Sequence, residues 1–129
     1  MKIASFEIVT LHESGMRFVT EYEMICKDGA VEVTEYGTKY EDGERVRYPV
    51  SSASRSCEEV LKLLNDCNIG AWDGFHGKHP RGVLDGIMFS FRAVVNDGKE
   101  IKADGSENFP RHYRDFRDAL YGILHSDNK

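Results

Sequence analysis

Apolar and polar residues alternate through most of the first fifty positions. Phe6 and Ile8 fall on one side of a first extended segment and Glu7 on the other, before a predicted turn over residues 12–15. Met16, Phe18, Tyr22, Met24 and Cys26 then oppose Arg17, Glu21 and Glu23. Val31 and Val33 mark a third segment; Val46, Tyr48 and Val50, set against Arg45 and Arg47, mark a fourth. Period-two alternation predicts strands with one buried and one wet face. Asp28-Gly29 and Asp42-Gly43 supply the positive φ angles that tight hairpins need. Together they predict a four-stranded antiparallel meander.

The period then lengthens. Ser56-Cys57-Glu58-Glu59 reads as a capping box, and Cys57, Val60, Leu61, Leu64 and Cys67 share one helical face, with Asn68 or Gly70 ending the helix. Residues 70–86 are irregular and hold the only tryptophan. A strand follows, with Ile87, Phe89, Phe91, Ala93 and Val95 inward and Ser90 and Arg92 outward. Asp97-Gly98 turns it into a partner carrying Ile101 and Ala103. A last helix is predicted from Pro110, with Tyr113, Phe116, Leu120, Ile123 and Leu124 as its core stripe. The order β-β-β-β-α-β-β-α predicts an α+β fold: about six antiparallel strands with two helices on one face, in a single domain over residues 1–129.

Composition agrees with a folded chain, at 40% hydrophobic and 30% charged residues. Net charge is −5, of which −4 lies in residues 1–50. Such a balance repels nucleic acid and favours a basic protein partner. No apolar run approaches the ~20 residues of a membrane span, and no leader-like segment follows Met1. Cys26, Cys57 and Cys67 form no zinc or redox motif. Cys57 and Cys67 are separated by ~15 Å of helical rise, too far for a disulfide. Free, mostly buried thiols imply a reducing, cytoplasmic setting.

The second half holds Trp72-Asp73-Gly74-Phe75, Leu84-Asp85-Gly86, Gly105-Ser106-x-Asn108-Phe109-Pro110, and Tyr113 and Phe116 in a closing helix. This pattern resembles that of a group of small bacterial α+β proteins of no assigned activity. It covers residues 57–125, implies the same fold and a bacterial or phage origin, and carries no catalytic residue across.

Candidate chemistry is sparse. His76 and His79, with Asp73 and Asp85 nearby, could ligate a divalent ion and support a metal-dependent hydrolase. Lys78 lies between them, however, and two histidines on a solvated loop are the favoured reading. Cys57 at a helix start could be a nucleophile, yet it is in phase with Leu61 and Leu64. Asp73, Asp85, Asp97 and Asp104 each precede glycine, so turn chemistry accounts for them. Ser106 or Asn108 could cap the last helix, with Arg111 and Arg114 pairing Asp115 and Asp118. Glu7, Glu21, Glu23, Glu32 and Glu35 could share the wet face of the meander, either as ordinary solubilising charge or as a docking surface for a basic partner.

These features predict a non-enzymatic protein-binding module, one version being a phage or mobile-element inhibitor that covers a basic surface on a host protein. No catalytic residue, cofactor or metal is assigned. The alternative is a small-anion site between the 70–86 loop and the start of the last helix, built from Trp72, Phe75, His76, His79, Arg81, Ser106, Arg111, His112 and Arg114. Against this, Trp72 is expected to cap the core rather than stand exposed. Open sheet edges also predict a homodimer, through an edge strand or the open face.

Overall fold

A computed structural model describes residues 1–16, 18–83 and 86–125. Arg17, Leu84 and Asp85 lie outside the described residues, and with them the Leu84-Asp85 pair and one of the aspartates considered above. The strands are β1 (Phe6–Gly15), β2 (Phe18–Lys27), β3 (Ala30–Glu41), β4 (Glu44–Ser56), β5 (His76–Gly77), β6 (Met88–Val95) and β7 (Lys99–Ser106). The helices are α1 (Cys57–Asp66) and α2 (Tyr113–His125). The sheet runs β4-β3-β2-β1-β6-β7-β5. It is antiparallel except where β5, a two-residue strand, joins β7 in parallel. β5 is the strand that the sequence pattern misses, because two residues show no periodicity.

Three hairpins turn where Asp-Gly pairs predict. Asp28 and Gly29, Asp42 and Gly43, and Asp97 and Gly98 all have positive φ. Asp104-Gly105 is different: it lies inside β7. A Cβ on Gly105 would come within 2.2 Å of the Asn108 carbonyl oxygen, so close backbone approach rather than a turn requires this glycine.

Both helices pack on one face. Val60 and Leu64 of α1, with Tyr113, Phe116, Leu120 and Leu124 of α2, join the inward residues of the sheet in one core. Leu61, expected at its centre, is only partly buried. Ser56 caps α1 by accepting the Glu59 N–H at 3.1 Å, and Asn68 leaves the helix in the left-handed region at φ 54°. α2 begins at Tyr113 rather than Pro110. Residues 110–112 form a turn in which Tyr113 N–H reaches the Pro110 carbonyl, and His112 takes φ 70°.

Several faces of the N-terminal strands differ from their pattern. A bulge between Phe6 and Ile8 shifts the register, so Phe6 faces inward with Val9 and Leu11 while Ile8 turns to the other face. β1 also runs through residues 12–15, where a turn is predicted, and pairs Gly15 with Phe18. Met16 and Phe18 are exposed at that hairpin tip. Tyr48 and Val50 are exposed and Val46 is half-buried, because this end of the β3–β4 hairpin lies beyond the helices' cover.

Candidate functional site

The 70–86 loop and the 105–114 segment do lie together, but their residues divide among three places. Trp72 and Phe75 belong to the core side. Trp72 is buried, its ring meets Phe91 edge-on at 4.9 Å and stacks on Tyr113 at 5.8 Å, and its indole N–H donates to the Arg111 carbonyl at 3.0 Å. Phe75 is partly buried against Phe89. Asp73 pins this turn to β7: its carboxylate accepts the Lys102 backbone N–H at 3.1 Å. That bond, with help from Lys99, holds its pKa below the usual aspartate value.

His76, His79 and Ser106 stand along β7. His76 Nδ1 is 2.5 Å from the Asp104 carboxylate. His79 uses both ring nitrogens, Nδ1 with the Ser106 hydroxyl at 2.6 Å and Nε2 with the Val83 carbonyl at 2.5 Å. A carbonyl only accepts, so Nε2 carries the proton and Nδ1 takes the Ser106 hydrogen. Neither nitrogen of His79 then has a free lone pair for a metal. Among the described residues no three His, Cys, Asp or Glu side chains converge as a metal-holding group.

His112 and Arg114 line a cavity of about 380 Å³ beside the first turn of α2, with Phe109 and Tyr113 as apolar wall and Glu13 and Arg117 behind. His112 Nδ1 pairs with Asp115 at 3.0 Å. Neither Ser106 nor Asn108 caps α2: Ser106 is engaged by His79, and Asn108 donates to the Lys78 carbonyl at 3.2 Å. The expected Arg111–Asp115 and Arg114–Asp118 pairs do not form among the described residues; Arg117 of this helix pairs with Glu13 instead. Arg111 and Arg81 are exposed.

Glu13 is the group that sequence reasoning passed over. It is 3% exposed, on the inward face of β1, where it continues the phase of Val9 and Leu11. One carboxylate oxygen accepts the Tyr113 hydroxyl, and the other lies 3.3 Å from Arg117 Nε. Burial, then the Glu13 hydrogen bond, pushes the Tyr113 pKa far up; burial, then the charges of Glu35 and Glu13, raises that of Tyr22. A carboxylate at a core-phase position was the available signal, hidden by the turn assigned to residues 12–15.

The opposite face of the sheet has no helix over it. Glu21, Glu23 and Glu32 lie there. Glu35 does not: it is half-buried on the helix side, where it meets Ser51 and His125. Arg47 bonds Glu21 at 2.7 Å and lies over the Tyr36 ring at 3.8 Å. Beside Tyr36 runs a groove of about 330 Å³, walled by Glu23, Glu32, Ile25 and Pro49. Among the described residues Glu23 accepts only the Tyr36 hydroxyl, at 3.4 Å, and no cation pairs with Glu32. No helix of the described residues is long and apolar enough to cross a membrane. Set against family models, curated proteins and solved structures, the chain matches none.

Proposed function

We propose that this chain is a non-enzymatic protein-binding module that docks a basic partner on the sheet face its helices leave bare. The observation that carries the reading is the groove beside Tyr36, where Glu23 and Glu32 have no cationic partner among the described residues. Exposed ion pairs are each worth little. Ile25, 37% exposed, and the Tyr36 ring add the apolar area that an interface core needs. A lysine or arginine from the partner would sit between the carboxylates with its methylenes on Ile25 and Tyr36. The excess of acid in residues 1–50 would steer such a partner to this face. An inhibitor covering a basic surface of a host protein, working in a reducing cytoplasm, is the specific form of this role.

The test is affinity capture from a lysate on immobilised wild type and on a Glu23→Lys/Glu32→Lys double variant. Support requires one protein with a lysine- or arginine-rich surface, bound about tenfold or more weaker by the variant and weakened by salt. An unchanged melting temperature shows that the variant is folded. Equal capture by both proteins sinks the reading.

A second reading, a small anion held beside α2, is favoured by Arg114 lining the 380 Å³ cavity without a carboxylate partner among the described residues. A ligand selective for the folded state raises the melting temperature. Phosphate or a nucleotide doing so, with the shift lost in Arg114→Ala, would support this second reading.

A further inference from the structure

Cys26 and Cys57 are 31 residues apart in the chain, yet their sulfurs lie 3.1 Å apart. Topology brings them together. Cys26 is near the end of β2 and shares the inward phase of Tyr22 and Met24. The chain then runs out along β3 and back along β4. Val31 of β3 pairs with Cys26 on one side and Arg55 on the other, which returns the backbone to Cys57 at the first position of α1. Both thiols are half-buried, so a small reagent can approach them, whereas Cys67 is 4% exposed.

We propose that Cys26 and Cys57 form a reversible disulfide when the protein meets a hydroperoxide, a redox site that fastens the start of α1 to the end of β2. The S–S bond needs about 2.05 Å, so each sulfur moves by roughly half an ångström, within reach of a small side-chain rotation. One sulfur, as thiolate, attacks the peroxide; the O–O bond breaks, leaving a sulfenic acid and an alcohol or water. The second sulfur attacks the sulfenic sulfur, the S–O bond breaks, and water leaves as the S–S bond forms. Two thiols are oxidised by two electrons and one peroxide is reduced. Contact with Cys57 raises the Cys26 pKa above 9.0, as expected of a proton held between two sulfurs. Cys67 stays out because it is buried, where a small reagent reaches it far less readily than the half-buried pair. Reduction by a cytoplasmic dithiol reopens the bond, so the pair suits a reducing compartment as a sensor rather than a permanent staple.

The test treats the full native chain with hydrogen peroxide, alkylates it under denaturing conditions and maps peptides without reduction. The expected product is one intramolecular link between the Cys26 and Cys57 peptides, with Cys67 alkylated. The melting temperature should rise, because the ring closes around the β3–β4 hairpin and constrains the unfolded chain, and dithiothreitol should reverse the rise. Cys67→Ala should keep the link, and Cys26→Ala should abolish the shift. A link to Cys67 or between chains would overturn the proposal. So would separate sulfinic acids at Cys26 and Cys57, or no reaction under conditions that oxidise an unpaired surface cysteine.

Discussion

β6 and the outer half of β4 carry the same alternation and meet opposite fates. Phe89 and Phe91 are 3% and 2% exposed, while Tyr48 and Val50 are 38% and 51% exposed. The sequence pattern is alike, though a bulge leaves Val50 without a partner in β3; what also differs is what lies above. β6 runs beneath Trp72, Tyr113 and Phe116, whose rings meet Phe89 and Phe91 at 4.8–6.0 Å. The outer half of β4 has solvent there, and its aromatic residue is met by a cation instead, Lys39 standing 5.3 Å from the Tyr48 ring centre. Alternation thus tells which side chains share a face. Whether that face is covered depends on the partner element.

The largest expected contrast is between truncations on the two strands' neighbours. Phe116→Ala should cost about 3–5 kcal/mol, the usual loss for emptying a buried aromatic site. Tyr48→Ala should stay within about 0.5 kcal/mol. Chemical denaturation measures both, and similar losses would break the comparison. Next comes Glu13. Glu13→Gln removes the charge that Arg117 faces and disturbs the Tyr113 hydroxyl, at a cost of about 1–3 kcal/mol. A neutral result would show that this carboxylate contributes no more than an exposed one.

The smallest effect is a pH slope. The Cys67 pKa rises on folding from 9.0 to about 11, so the native state keeps a proton that the unfolded chain sheds. Its contribution is complete below pH 9 and is lost as pH climbs from 9 towards 11, by at most about 1.4 kcal/mol per pH unit. Tyr113 and Tyr22, also raised, add to the decline above pH 10. Denaturation at pH 8, 9 and 9.7 should show a falling stability in wild type and a flatter one in Cys67→Ala; equal slopes would remove Cys67 as the cause.

The fold was legible where two local signals agreed. Asp-Gly turns bounded alternating segments, Ser56 preceded a helical stripe, and the aromatic stripe of α2 matched the inward residues of β6. Legibility failed where geometry is set by a distant residue. The bulge at Phe6/Ile8 and the two-residue β5 both answer to neighbours far along the chain. The same holds for the candidate site. Trp72 is expected in the core and lies there, but nothing local places His112 at a cavity. Glu13 fell within the turn predicted over residues 12–15, and the Cys26–Cys57 contact requires knowing that β3 and β4 return the chain to its starting point.

The sheet order has a consequence for the time course of folding. Every antiparallel neighbour pair is a hairpin except β1 with β6, whose partners run from Phe6 with Val95 to Ser14 with Met88. This seam lies near the middle of the sheet and joins residues far apart in the chain, so its closure bears the largest loop entropy. The four N-terminal strands can zip from their own turns while β6 is still being synthesised. Until β6 arrives, β1 offers one open side, and the inward row of Val9, Leu11 and Glu13 awaits the helices. The interval before the seam closes is the period in which a nascent chain most needs protection from its neighbours.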